Sequence, residues 1–505
     1  MVLEKLEPKP VWEIFENVLV ATPRPSKKEA RIRRAVSEWT RNQSVRRGTR
    51  IDVREDEAGN LLLRIPASPG KEQWPSVLLQ GHLDMVCETN RPGGYDFDTL
   101  PIPIKIASDG NWVCADGTTL GSDNGIGVSL ALALTIDEDS GFVHGPIEVL
   151  LTVDEETGLT GAFGMDLNIL GITSKLLINL DSEITGTITI GSAGGGDMTM
   201  EKKVLFSKGR AGLQFLSLEV SGLLGGHSGV DIHLPRANAN KIVARLLSAA
   251  QSVAEVKLCS WNGGTKHNAI TRECVAVFAV PKTKSDAVKR AMEDETAAIL
   301  GYYRSQVQNA KVLEPEMSIN WHQAEASPCM SAKESTQVIR TINSIPHGYR
   351  NFSPDVPELV ETSSNLAVVK TEEGSISMVV SARSSVDREL AAFRNSIADL
   401  AWLGGWSVDM KPAYPGWKPE PGSAFLSFVK KHYEAVYGAK VKIEAIHAGL
   451  ECGIIGAHIP GIQMVSIGPT VKGAHTPDEK VKISDVGVLY SLLKRVLGSL
   501  PELRV

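Results

Sequence analysis

The sequence predicts an α/β fold, a mixed sheet covered by helices and interrupted by an inserted α+β domain. Three observations predict it. Short apolar runs in the first third, SVLLQ, IEVLL and KLLINL, are too brief and too uniformly apolar for surface strands, and helical patterns alternate with them. After Gly191 the texture changes, and strands begin to show apolar residues at every second position. From Ala413 a Pro/Gly-rich connector, AYPGWKPEPG, leads back to the first texture. The expected organisation is one α/β domain made of 1–195 and 413–505, with 196–412 inserted as an α+β unit of one or two subdomains. Residues near 195 and 412 are the candidate hinges.

Taken in order, Trp12, Ile14, Phe15, Val18 and Leu19 give an apolar face at near-helical spacing, and a second amphipathic helix is expected over 30–39. SVLLQ ends before Gly81, IEVLL before Thr152 and KLLINL before Asp181. Each reads as a central strand of a sheet with helices on both faces. The glycine-dense GSAGGGD opens the insertion. Beyond it, Leu216, Leu218 and Val220 alternate with Ser217 and Glu219, and Ile376 and Met378 flank Ser377, so these strands should have one wet face. Helices are expected over 241–253, 285–303 and 388–403. The closing part holds an amphipathic helix over 424–436 and a last buried strand, IQMVSIG.

The chain has 505 residues, with 53 Lys plus Arg against 59 Asp plus Glu and a net charge of −6. That balance argues against a nucleic-acid partner. No uncharged apolar run approaches the roughly 18 residues of a membrane span, and MVLEKLEPKP has neither the apolar core nor the cleavage site of a signal peptide. A cytoplasmic protein is expected. Its six cysteines are scattered without a C-x-x-C pair, which fits a reducing compartment and argues against thiolate ligation of a metal.

The chemistry lies just beyond each apolar run. His82 and Asp84 end the first strand, Glu155 and Glu156 the second, Asp181 the third, and His475 follows IQMVSIG after a short loop. Ligand sites of α/β sheets lie beyond the carboxyl ends of the strands, so these groups converge on one rim. Asp123, in the turn GTTLGSDNGIG, joins them if that loop folds over the same rim. Singly, an acidic residue after a strand is more often a cap or turn residue, and a lone histidine a structural one. The recurrence of one strand-then-ligand context carries the metal reading. Imidazoles and carboxylates without thiolates suit Zn²⁺, Mn²⁺ or Co²⁺, and the carboxylate excess suits two ions sharing a bridge. Asp84, two residues beyond His82, can accept its second ring N–H. In extended backbone Glu155 and Glu156 diverge, one toward metal and the other toward a water as general base.

The strings GHLDMV (81–86), TTLGSDNGIG (118–127), DEETG (154–158), NLDSE (179–183), GGHSG (225–229) and GAHTPDE (473–479) resemble the M20 family of metallopeptidases. NGGTKHNAI (262–270), VETSSNLAVV (360–369), AYPGW (413–417) and HAGLECG (447–453) are similar to its aminoacyl-histidine dipeptidase subgroup. The resemblance runs through the chain in the family's order. It implies a di-metal zinc-peptidase catalytic domain with an inserted lid through which two copies dimerise. It implies Asp123 as the bridging ligand, His82 and Asp181 completing one metal site, and Glu156 and His475 the other. Glu155 would be the general base, Asp84 the orienting residue, and His227 the donor to the tetrahedral oxyanion. Asn268, Arg383 and Gly449 match substrate-holding positions, with Arg383 on the terminal carboxylate of a dipeptide.

The implied reaction is metal-dependent dipeptide hydrolysis, of Xaa-His with a broader dipeptide specificity, with two divalent ions, most readily Zn²⁺, and Mn²⁺ or Co²⁺ as alternatives. A tripeptidase, carboxypeptidase or N-acyl amino acid deacylase would use the same ligands. A non-catalytic metal scaffold would need no base such as Glu155. GGHSG is not the G-x-S-x-G of a serine hydrolase, and GSAGGGD lacks the Lys and Ser/Thr of a phosphate loop.

Overall fold

A computed structural model describes residues 2–137, 141–208, 211–304 and 312–503. The chain divides into two compact units: Met1–Gly191, Pro419–Ala445 and Leu450–Val505 form the first, and Ser192–Lys418 with Ile446–Gly449 the second. Gly449 and His447, which come late in the chain, therefore belong to the second unit.

The first unit is built on an eight-stranded sheet. Its order is Asp52–Glu55, Leu61–Ile65, Ile147–Thr152, Val77–His82, Leu176–Asn179, Gln463–Ser466, Thr187–Ser192 and Lys442–Ile446. The four central strands, which are the four apolar runs of the sequence, pair in parallel. Antiparallel neighbours flank them, so the sheet is mixed. Every residue of Val77–His82, Ile147–Thr152 and Leu176–Asn179 is buried. Leu79, Val149 and Ile178 pack with residues of Ser122–Leu134, Ala424–Tyr437 and Ile483–Ser499, while Leu78, Leu150 and Leu177 are buried on the opposite face. Truncating such a leucine to alanine costs about 2–5 kcal/mol. Ser122–Leu134 is buried almost all round, as expected of a helix that crosses a core. The N-terminal apolar face folds as Lys9–Ile14 running into a π-helical turn, Phe15–Leu19, and the next helix, Ala30–Arg47, is longer than its periodicity suggested.

The second unit carries a nine-stranded antiparallel sheet. Leu216, Leu218 and Val220 face a core they share with helices Ala239–Gln251, Ser285–Tyr303, Ala332–Ser344 and Asp387–Leu403. Phe215 lies on the other face in a small cluster with Cys259, Ala279 and Cys329. The wet face is thus incomplete: Glu219 is exposed, but Ser217 is buried because that second cluster covers it. The helix Ala332–Ser344 was not anticipated; a capping box, Ser331 with Glu334, starts it. GSAGGGD leads into an ordered strand, Gly194–Lys203. A side chain at Gly194 would place its Cβ 2.5 Å from both Tyr414 O and Gly416 N, so the glycine permits a close backbone approach. Among the described residues no helix is long and apolar enough to cross a membrane.

Candidate metal centre

Three adjacent parallel strands of the first unit end at the same rim and present His82, the Glu155–Glu156 pair and Asp181 there. His82 is the last residue of its strand. Gly81 before it leaves room for Asn124, whose Oδ1 would lie 2.2 Å from a Cβ at that position. Asp123 enters from the start of Ser122–Leu134, at φ −82 and ψ 109, and the Asp123–Asn124 peptide is cis. Asn124 Nδ2 donates to Leu180 O at 2.7 Å, tying this loop to the strand end that carries Asp181. The segment between IQMVSIG and His475 is not only a short loop, since it holds the strand Val471–Lys472. His475 sits at φ 64 in the turn between Val471–Lys472 and Lys480–Lys482, a hairpin of a separate four-stranded sheet.

Of the donor sets that gather among the described residues, two share Asp123. His82, Asp123 and Asp181 form one, and Asp123, Glu156 and His475 the other, each with donor atoms within 4.8 Å of one another. His82 Nε2 lies 3.0 Å from Asp123 Oδ1 and 3.4 Å from Asp181 Oδ1. His475 Nε2 lies 3.0 Å from Asp123 Oδ2 and 2.9 Å from Glu156 Oε2. The shared carboxylate therefore turns one oxygen to each imidazole.

Glu155 and Glu156 are not extended. They open a short helix, Glu155–Gly158, after Asp154 in the left-handed region at φ 50. The cause is Asp84, whose Oδ1 accepts the Glu155 N–H at 3.0 Å and whose Oδ2 accepts the Glu156 N–H at 3.2 Å. A carboxylate at a helix N-terminus satisfies amides that have no partner within the helix. Asp84 Oδ1 also stands 3.4 Å from His82 Nδ1, but the nearer partner of that nitrogen is the Asp84 backbone O at 3.2 Å.

Electrostatics mark the rim as a place for positive charge. Glu156 Oε1 and Asp181 Oδ1 are shut from solvent and accept no hydrogen bond. Burial pushes the Asp181 carboxyl well up, and Asp123 and Glu451 add to it. Glu155 is likewise raised by burial, with Asp181, Glu451 and Glu156 adding against the opposing pull of His82. Hydrogen bonds to Asp123 and Glu156 push the His475 imidazole up to about 11. Despite its burial, Asp123 is held well below the usual carboxylate range by His475 and His82. Carboxylates this crowded, with two imidazoles and unspent oxygens among them, fit divalent cations at N/O sites.

Sequence reasoning missed the polar layer behind this rim. Glu451, buried on the helix Glu451–His458, accepts from Gln80 Nε2 at 2.6 Å and Thr152 Oγ1 at 2.8 Å, and its Oε1 has no partner. Burial pushes its carboxyl up to about 7. Gln80 Oε1 in turn accepts from Asn179 Nδ2 at 2.6 Å, and Asn179 accepts from Ser466. The signal lay in the runs themselves, since SVLLQ, KLLINL and IQMVS each carry one polar residue near the end. Arg24 and Glu479, both buried, are charged groups that no strand-end pattern flags.

His227, Asn268, Arg383 and Gly449 all belong to the second unit. His227 pairs with Ala269 in a two-stranded ribbon, which brings GGHSG beside NGGTKHNAI. Its Nδ1 accepts the N–H groups of Gly229 at 3.2 Å and Val230 at 3.1 Å, so in the neutral ring Nε2 carries the proton and is a donor. Burial, then Arg383, lowers its pKa and favours that neutral form. Arg383 is only 7% exposed; its Nη1 donates to Tyr414 Oη at 2.7 Å and its Nε has no partner. A Cβ at Gly449 would come within 3.1 Å of the Tyr414 ring. The Asn268 backbone O accepts the Ser228 N–H at 2.9 Å.

A helix-covered mixed sheet whose parallel strand ends meet a helix start and a hairpin turn to form two N/O donor sets with one shared carboxylate has the make of a metal-dependent hydrolase. The model of "Peptidase family M20/M25/M40" matches residues 78–499. The chain is 37% identical over 499 residues, 99% of both chains, to the cytosol non-specific dipeptidase of Escherichia coli (strain K12). It is similar to the crystal structure of aminoacylhistidine dipeptidase from Vibrio alginolyticus, with a TM-score of 0.87, 36% identity, and 99% of this chain and 98% of that one covered. Aminopeptidase PepT from Bacillus cereus, at 17% identity and a TM-score of 0.55 over 98% of this chain and 99% of its own, shares the fold. The chain therefore belongs to peptidase family M20/M25/M40 and is a peptide hydrolase of the M20 type.

Proposed function

We propose that this protein hydrolyses dipeptides, Xaa-His among them, in a metal-dependent reaction. The observation that carries the proposal is the pair of donor sets sharing Asp123, with Glu155 on the same helical turn as Glu156. The names of the two relatives at 36–37% identity, both dipeptidases, support the substrate class. His82 and Asp181 hold one ion in this reading, Glu156 and His475 the other, and Asp123 serves both. Zn²⁺ suits the donors best, and Mn²⁺ or Co²⁺ fits the same set. Bound there, the ions supply Lewis-acid polarisation and a water acidified to a pKa of roughly 7.

The chain's own groups do the rest. Glu155 accepts a proton from the attacking water and returns it to the leaving amine. Asp84 keeps Glu155 and Glu156 in place through their amides. His227 donates Nε2–H to the developing oxyanion. Arg383, enclosed and with donors to spare, binds the terminal carboxylate of the dipeptide, and Asn268 and Gly449 line the bound substrate. A clamp on a free carboxylate favours dipeptides over longer chains. The insertion, 196–412, acts as a lid and as the surface of a homodimer, and 1–195 with 413–505 as the catalytic domain. The cytoplasm is the proposed compartment, in keeping with the relative's name and with six free cysteines.

The test is Glu155→Gln, measured for both turnover and bound metal. We expect kcat to fall by roughly 10²–10⁴ with metal content unchanged. Parallel loss of metal and turnover would assign Glu155 to ligation instead.

A further inference from the structure

Glu479 closes the GAHTPDE turn that carries His475, and it is 2% exposed. Its carboxylate faces a different segment, the loop that delivers Asp123. Oε2 accepts the N–H groups of Leu120 at 2.8 Å and Gly121 at 2.9 Å. Oε1 accepts the Ser122 N–H at 2.7 Å, the Ser122 hydroxyl at 2.6 Å and the Asp123 N–H at 3.2 Å. Four consecutive amides and one hydroxyl thus converge on one acceptor-only group, a satisfaction that no amide or hydroxyl side chain can reproduce.

The carbonyl side of the same loop is gripped by Arg24, which is 1% exposed. Its Nη2 donates to Gly121 O, and its Nη1 donates to Leu83 O and Asp84 O at 2.9 Å each. Gly121 sits at φ +70, and a Cβ there would lie 2.5 Å from Arg24 Nη2 and 2.7 Å from Met85 Sδ. Backbone conformation and close approach both require glycine at this position. The strand end of His82, the Asp123 loop and the His475 turn are therefore tied into one buried polar frame, with opposite charges on its two sides.

We propose that Glu479 is a positioning residue that sets the Asp123 carboxylate between His82 and His475. It does so by fixing the backbone up to and including the Asp123 amide, and by anchoring the His475 turn to that backbone. Glu479 belongs to neither donor set. The inference rests on the reading of Asp123 as the shared ligand. His82 ends its own strand and Asp181 comes two residues after the end of another, whereas the His475 side depends on the contact Glu479 makes. Loss of Glu479 therefore falls mainly on the set formed by Asp123, Glu156 and His475.

The experiment is a stepwise Zn²⁺ titration of the metal-stripped full chain by calorimetry, with the melting temperature of each apo variant recorded alongside. The variants are Glu479→Gln, Glu479→Asp, Ser122→Ala and Asp123→Asn. In Glu479→Gln an NH₂ group meets backbone N–H groups, and we expect one of the two equivalents to bind roughly 10–100-fold more weakly while the other stays within about threefold. Glu479→Asp, which keeps both acceptors, should recover part of the loss, and Ser122→Ala should show the same selective weakening to a smaller degree. Asp123→Asn should weaken both equivalents. If it weakens neither, the shared-ligand reading fails independently of Glu479. If Asp123→Asn weakens both but Glu479→Gln lowers only the melting temperature, the positioning role is overturned. Should Glu479→Gln not fold, selective weakening in Ser122→Ala supports the proposal, and wild-type affinities in Ser122→Ala and Glu479→Asp together overturn it.

Discussion

Asp84 accepts three hydrogen bonds with one carboxylate, from the amides of Glu155 and Glu156 and, at 2.8 Å, from the hydroxyl of Ser26, and its Oδ1 also faces His82 Nδ1. Against the cost of burial, His82 first and then the Glu155 amide and Ser26 hold its carboxyl down at about 2. The group is ionised at any working pH, and its role as acceptor is fixed. Asp84→Asn turns one of those acceptors into a donor facing a backbone N–H, which displaces the turn carrying Glu155 and Glu156. We expect kcat/KM to fall by roughly 10–100-fold, with bound metal reduced by less; wild-type kinetics in the variant would contradict this. At this scale the sequence shows only residue types. The strand-end positions of His82, Asp181 and the glutamate pair are legible because each comes directly after an apolar run. That Asp84 serves two amides more closely than an imidazole is not legible, since it depends on the next strand ending in a helical turn. Glu451 is invisible for a similar reason: its partners, Gln80 and Thr152, lie about 300 residues or more away in sequence.

Elements were readable where one pattern served one environment. The four apolar runs became four adjacent parallel strands because burial on both faces imposes no alternation. The strands of the second unit were harder, since a small cluster behind Ser217 buries part of the face that alternation marks as wet. Segment Ile446–Gly449 could not be foreseen at all. It follows the edge strand of one unit yet belongs to the other, where a Cβ at Gly229 would lie 2.0 Å from His447 O. His447 is 6% exposed, its Nε2 is 2.7 Å from Ser363 Oγ, and burial, followed by Arg383, pushes its pKa down to about 3. The unfolded chain takes up this proton below about pH 6.5, and the folded chain does not until far lower. Stability from the neutral ring is therefore complete above about pH 6.5 and drains as pH falls, reaching a loss of up to about 2 kcal/mol by roughly pH 5. Denaturant unfolding at several pH values should show this acid limb, and His447→Gln should flatten it. An unchanged slope in the variant would contradict the assignment.

At the scale of the whole molecule, the fold class was legible because its three textures succeed one another along the chain, and the family because its strings do so in order over nearly the full length. The unit limits were less sharp. The crossings fall at 191/192 and 418/419, inside the glycine-bearing stretches GSAGGGD and AYPGWKPEPG, where Gly194 lies close against Tyr414 and Gly416. Metal dependence and dipeptide preference come together only in the intact enzyme, and one measurement reaches both. Release of free amino acids is followed from β-alanyl-histidine, other Xaa-His dipeptides and a matched tripeptide, first as purified, then after chelation, then with Zn²⁺ or Mn²⁺ restored. We predict cleavage confined largely to the dipeptides, abolished by the chelator and regained with metal. Cleavage that survives chelation, or no cleavage of any peptide by protein that binds two equivalents of metal, would contradict the account.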